Sequence, residues 1–362
     1  MLHIRPQRWL CLLCLLLVAC SSVQPLQPDS ATATATQSAA ETPVAPSATP
    51  EPTEIPVSPS VFPSDVASDP LPTISRMPTP AVPESLLTPV APLPIADLQF
   101  SGERALTIVA DQMQWVPRHT GTPGWQQTGD YIIEQARAAG WQVEEQRFEY
   151  RGVEGRNIIA RRGAGPVLIL GAHYDTRKYA DRDPDEARRQ EPVPGANDGA
   201  SGVAVLLELA RHIDPDRLGR EVWLAFFDVE DNGEIDGWEW TVGSRYMAEH
   251  LPIKPDAMIL VDMIGDADLQ IYHETNSTPA LRDSIWSTAA ELGYTQFIPE
   301  PKYAMIDDHV PFLQQGIAAV DLIDFDYPPW HTVGDTADKV SAASLEAVGR
   351  TLERWLETRA QP

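Results

Sequence analysis

No cysteine follows residue 20; the three in the chain are Cys11, Cys14 and Cys20. The remainder therefore holds no internal disulfide and no cysteine-based zinc finger, which excludes a disulfide-stapled mini-fold. Basic residues are also scarce, 27 against 52 acidic ones, for a formal charge of −25. Such a chain lacks the basic face that displaces counterions from nucleic acid, and it lacks a polybasic patch for anionic lipid. Nucleic acid is excluded as a partner; cations, including metals and peptide amines, are attracted instead. Aromatic residues are nearly missing early on, with Phe62 the only one between residues 20 and 97. Long apolar runs are missing too: the stretch from Trp9 to Ala19 is short for a transmembrane helix.

What is present at the N-terminus is a pair of cations, Arg5 and Arg8, ahead of that apolar stretch. This is the charge and length pattern of a signal peptide. It ends in Leu17-Val18-Ala19-Cys20-Ser21, which resembles a bacterial lipobox. The resemblance implies removal of residues 1–19 and attachment of a lipid to Cys20, so that the protein is exported and anchored to the membrane. An ordinary signal peptide or an uncleaved anchor is the alternative, and either one also exports the body. Residues 20–97 are rich in Pro, Ser, Thr and Ala and cannot bury enough apolar surface to offset their ordering entropy. They read as a disordered tether. Residues 98–362 remain, a length that suits one substantial domain.

Within that body, Ala105–Val116 and Thr128–Ala139 have the apolar spacing of helices, and Trp141–Tyr150 and Arg156–Arg162 that of strands. Pro166–Gly171 is a continuous apolar run of the kind buried on both faces of a sheet. Helices are expected over Val203–His212, Pro279–Leu292 and Ala342–Thr358, and strands over Glu221–Phe227, Ala257–Val261 and Ile317–Ile323. This alternation predicts a single α/β domain: a central mixed, mostly parallel β-sheet flanked by helices on both faces. In such sheets chemistry gathers beyond the C-terminal strand ends.

Those ends are where the histidines and carboxylates fall. His173-Tyr174-Asp175 follows the first buried run, and Asn197-Asp198-Gly199 precedes a helix. Asp228-Val229-Glu230-Asp231, Asp262 and Trp330-His331-Thr332 follow later strands. A lone strand-end Asp is usually a cap or turn former, and a lone His a satisfied structural residue. Several such groups in series instead form the imidazole and carboxylate set that zinc accepts.

In combination and order these segments resemble the M28 family of zinc aminopeptidases, and more closely its glutaminyl cyclase branch. Pro117–Gly124, Ile306–Leu313 and Trp330–Thr332, with Asp335 and Asp338 behind, carry the likeness. The resemblance implies a zinc aminopeptidase-like fold and an enzyme acting on peptide or protein N-termini. In the cyclase reading a single zinc is held by Asp198, Asp231 and His331, Glu230 shuttles the proton, and Asp262 and Asp307 hold the geometry. Such an enzyme closes an N-terminal glutamine to pyroglutamate with loss of ammonia. In the aminopeptidase reading Asp198 bridges two zinc ions, His173 and Asp262 bind the second, and Glu230 activates water. Many family members carry Glu-Glu where this chain has Glu230-Asp231, a departure that some bacterial cyclases resemble. Trp330, with Trp240 or Trp238 from the loop after Asp231, is expected to line the substrate pocket and exclude water. A non-catalytic binding domain of the same fold is the remaining alternative.

Overall fold

The computed structural model describes residues 79–89 and 97–359. The expected signal peptide, Cys20 and most of the expected tether lie outside the described residues. The elements run α1 (Glu84–Leu87), α2 (Gly102–Gln112), α3 (Pro123–Ala138), β1 (Gln142–Tyr150), β2 (Val153–Gly163), β3 (Val167–His173), α4 (Ala200–Ala210), α5 (Pro215–Leu218) and β4 (Glu221–Phe227). They continue as α6 (Val242–Glu249), β5 (Ala257–Asp262), β6 (Ile271–His273), α7 (Pro279–Glu291), β7 (Phe297–Pro301), α8 (His309–Gln314), β8 (Ala318–Ile323) and α9 (Ala342–Thr358).

Six strands form the main sheet in the order β1-β2-β4-β3-β5-β8. The β4-β3-β5-β8 half is parallel, and β1 and β2 add an antiparallel edge. Every residue of β3 and β5 is buried, as expected of strands covered on both faces. Alternate side chains of β3 enter two different cores. Leu168 and Leu170 pack with Val205 of α4, Val109 of α2 and Leu352 of α9. Val167 and Ile169 pack with Met247 of α6 and Phe312 of α8. The period of two along β3 thus fixes which helices cover which face. Because β4, β3, β5 and β8 all point the same way, the residues that follow Phe227, His173, Asp262 and Ile323 emerge along one edge of the sheet.

The expected tether does not extend unbroken to residue 97. Within it, α1 places Leu86 fully buried in the larger core. Arg359 Nε donates to the Leu86 carbonyl at 2.8 Å, and Arg220 Nη2 donates to Ser85 Oγ at 2.8 Å. One buried leucine with two hydrogen bonds is enough to dock a turn of helix, and composition averaged over the segment conceals it. Among the described residues, no helix is long and apolar enough to cross a membrane.

Candidate metal centre

Two groups of buried donors meet at the C-terminal edge of the sheet. His173, Asp198 and Asp262 form one, and Asp198, Asp231 and His331 the other; in each, the ligand atoms lie within 4.8 Å of one another. Asp198 belongs to both. Its Oδ1 is 3.0 Å from His173 Nε2, and its Oδ2 is 3.6 Å from His331 Nε2. His173 Nε2 is also 3.1 Å from Asp262 Oδ1, and His331 Nε2 is 2.9 Å from Asp231 Oδ1.

Each donor is set by the element that delivers it. His173 and Asp262 are the last residues of β3 and β5. Asp198 stands in the turn before α4, where Asp335 accepts from the Asn197 N–H at 2.8 Å and the Asp198 N–H at 3.1 Å. Tyr327 Oη donates to the same Asp335 carboxylate at 2.7 Å. Beyond β4 the chain turns through Val229, a β-branched residue held at φ +58°. That left-handed conformation is costly for valine and persists only where neighbours impose it. Asp228 Oδ1 accepts from the Val229 N–H at 2.8 Å, and Asp175 accepts from the N–H groups of Glu230 and Asp231 at 3.1 and 3.4 Å. His331 and Met263, beside Asp262, have left-handed backbones as well, at φ +55° and +46°. Three left-handed residues thus lie at or beside the donors.

Burial dominates the electrostatics. Glu230, next to the second group, has its pKa raised well above the usual carboxylate range by burial and then by Asp308, Asp307 and Asp231, against the pull of His173. Burial, Asp307 and Asp198 push Asp262 up to about 7, although His173 opposes them. Burial pushes the His331 imidazole down to about 3, with Arg177 adding to the effect against Asp198. A histidine kept neutral is a competent ligand. Burial would also neutralise His173, but Asp262 and Asp198 overcome it and raise its pKa well above the ordinary value.

The donor set fits a metal on an independent observation. Asp198 Oδ2 and Asp231 Oδ2 are buried and have no hydrogen-bond donor. Unpaired buried carboxylate oxygens are expensive, and a divalent cation satisfies both. With neutral imidazole as the third donor type, the set suits zinc.

The aromatic walls divide. The His331 ring stacks with Trp330, at a centroid distance of 3.8 Å, and lies near-parallel to Trp240, at 6.0 Å with an interplanar angle of 9°. Trp238, expected beside them, turns the other way. It packs against the Phe148, Val229 and Val242 cluster, edge-on to Tyr150, and lines a cavity of about 480 Å³ with His119, Lys178 and Asn232. The loop that carries both indoles is irregular, with left-handed backbones at Asp236 and Thr241 on either side of the pair. Asp307 is buried near Glu230 and Asp262, where its Oδ1 accepts from the Asp308 N–H at 2.6 Å. His309 is buried between Glu274, 3.3 Å away, and Asp321, 3.7 Å away.

Sequence reasoning did not assign positioning roles to Asp175, Asp228, Arg118 and Arg177. Arg118 is fully buried and donates to the carbonyls of Tyr174 and Gly195, tying the His173 strand end to the Asp198 turn. Arg177 lies over Trp240, donates to the Asp231 carbonyl and pairs with Asp181. Acidity at a strand end was the only available signal for Asp175 and Asp228; for the arginines there was none.

A mixed α/β sheet with a shared carboxylate at its C-terminal edge and a His/Asp group able to bind metal defines a zinc-exopeptidase-type metalloenzyme. The chain belongs to Peptidase family M28, whose model matches residues 157–356. It is similar to the glutaminyl-peptide cyclotransferase of Drosophila melanogaster, 27% identical over 64% of this chain and 74% of that protein. Among solved structures, it resembles the Porphyromonas gingivalis glutaminyl cyclase, with 36% identity and a TM-score of 0.67 over 71% of this chain and 98% of that one. A Zn-dependent exopeptidase from Parabacteroides distasonis is similar as well, with 30% identity and a TM-score of 0.67 over 73% of this chain and 99% of that one.

Proposed function

We propose that the protein is a zinc-dependent glutaminyl-peptide cyclotransferase, converting the N-terminal glutamine of peptides to pyroglutamate. Asp198, Asp231 and His331 would hold one zinc ion, which when bound supplies Lewis-acid polarisation of the substrate's side-chain carbonyl. The substrate's α-amine attacks that carbonyl carbon, a C–N bond forms, and the bond to the amide nitrogen breaks to release ammonia. Glu230 accepts the proton lost by the amine and delivers it to the leaving nitrogen; burial beside Asp307 and Asp308 equips it to hold that proton. The nucleophile is part of the substrate, so orientation rather than recruitment is needed.

The observation that carries this reading is the pair of indoles beside His331, Trp330 stacked on its ring and Trp240 near-parallel to it. Indoles beside a ligand supply the apolar lining that limits access of the water that would otherwise hydrolyse the amide to glutamate. Aminopeptidase action remains the second reading, favoured by the complete His173, Asp198 and Asp262 group and the sharing of Asp198. The purified, zinc-loaded protein should be offered two matched peptides, one beginning with glutamine and one with leucine. Ammonia together with an amine-blocked product supports the cyclase. Free glutamine or leucine supports the peptidase, and no turnover of either leaves a binding domain.

We also propose export and lipid attachment at Cys20, on the strength of Leu17-Val18-Ala19-Cys20. Substituting Cys20 by alanine should abolish incorporation of labelled fatty acid and shift the protein out of the detergent phase. Labelling that persists without Cys20 would refute it.

A further inference from the structure

The donors of the metal centre are buried, while a peptide offers the centre only its first residue. The rest of the peptide must leave along side chains that touch the centre and also reach solvent. Trp330 and Trp240 both do so, half-buried beside the His331 ring, and the cation over Trp240, Arg177, is paired with Asp181. Arg182 is exposed, and its guanidinium sits over the Trp330 ring, 5.6 Å from the centroid. Its backbone is fixed in place. The Arg182 N–H donates to the His331 carbonyl at 3.2 Å, and the neighbouring Asp183 carboxylate accepts from the Val333 N–H at 3.1 Å.

The other cations around it are engaged. Arg177 pairs with Asp181, Lys178 with Asp236, Arg188 with Glu191, Arg189 with Glu186, and Lys302 with Asp326. Among the described residues, no carboxylate forms an ion pair with the Arg182 guanidinium; Asp181, whose carboxyl it helps hold down, is paired with Arg177. A planar fork of donors is thus held on an aromatic face at the exit from the centre, in a chain whose net charge of −25 repels anions elsewhere.

We propose that Arg182 is a specificity-determining residue that binds a carboxylate on the substrate just beyond its N-terminal residue. This rests on the reading that peptide N-termini enter the centre, and not on which reaction follows. The carboxylate has two possible sources, an acidic second side chain or the free C-terminus of a dipeptide. Both present the two oxygens that a guanidinium binds side by side.

The test compares three substrates: Gln-Ala-Ala amide, Gln-Glu-Ala amide and the free acid Gln-Ala. For the native protein, kcat/KM on a carboxylate-bearing substrate should exceed that on Gln-Ala-Ala amide by about five- to tenfold, mostly through KM. Whichever substrate gains identifies the source. The advantage should shrink as salt is raised, disappear in Arg182→Gln and survive in part in Arg182→Lys, with metal content and melting temperature unaltered. No preference in the native protein, or one that persists in Arg182→Gln, overturns the proposal. If free glutamine rather than ammonia is released, the cyclase reading fails, yet the same ratios still decide the role of Arg182. If no substrate turns over, quenching of tryptophan fluorescence by the three peptides gives the ratios as affinities, and equal affinities overturn it.

Discussion

Asp198 stands between His173 and His331, presenting one carboxylate oxygen to each, at 3.0 and 3.6 Å. The arrangement has the form of a bridge, so the number of ions it carries decides between the two chemistries. With a single zinc on Asp198, Asp231 and His331, replacing His173 by alanine should leave close to one equivalent bound after dialysis. Elemental analysis reads this directly. A fall from two equivalents to one would point to peptide hydrolysis.

Glu230→Gln should lower turnover of a glutamine peptide by at least about a hundredfold, since the amide keeps the shape but cannot take up and pass on a proton. Zinc content should be unchanged, because the side chain belongs to neither donor group. Full activity in this variant would defeat both enzymatic readings.

Asp335 touches no other candidate donor's side chain, yet it fixes the backbone on both sides of the Asn197–Asp198 bond. Asp335→Asn removes one acceptor oxygen from a turn that uses both. Zinc affinity, measured by competition with a chromogenic chelator, should drop roughly ten- to a hundredfold. The global fold should persist, as shown by unchanged far-ultraviolet dichroism.

A pH prediction follows from Glu274, away from the metal centre. Despite burial, its carboxyl is held down at about 2 by His309 and by the N–H groups of Asn276 and Met305. Its folded pKa lies below its unfolded one, so its stabilisation is present above about pH 4.5 and is lost as pH falls towards 2. The contribution is about 3 kcal/mol at neutral pH. Urea melts of Glu274→Gln and native protein should differ most above pH 5 and converge near pH 2. A difference independent of pH would show that the residue acts through packing alone.

Leu86→Ala should cost about 2–4 kcal/mol, the range for emptying a fully buried leucine site. A chain starting at Leu98 should lose a comparable amount along with the Arg359 and Arg220 hydrogen bonds. Thermal melts of the three forms test whether α1 is part of the folding unit.

Strands were legible where burial on both faces removed polar residues altogether, as in Val167–Leu170 and Ala257–Val261. The amphipathic α9 falls on its expected residues, Ala342–Thr358. The short elements were not legible. Strand β6 has three residues, β7 contains Pro299 and Pro301, and α6 starts from the left-handed Thr241 without a side-chain cap. The donor residues could be read because several chemical types recur at strand ends. The choice between Trp238 and Trp240 could not, since it depends on the path of an irregular loop. Nor could Leu86, whose burial depends on α7 and α9, nearly two hundred residues and more further along the chain.

The order of strands also bears on how the centre comes into being. The ribosome makes His173, Asp198 and Asp231 well before His331, which follows β8, the last strand of the sheet. A chain short of that loop still has His173 beside Asp198, but it leaves Asp231 without its imidazole. The Asp198, Asp231 and His331 group is therefore complete only in a nearly full-length chain, whereas the His173, Asp198 and Asp262 group does not wait for that loop.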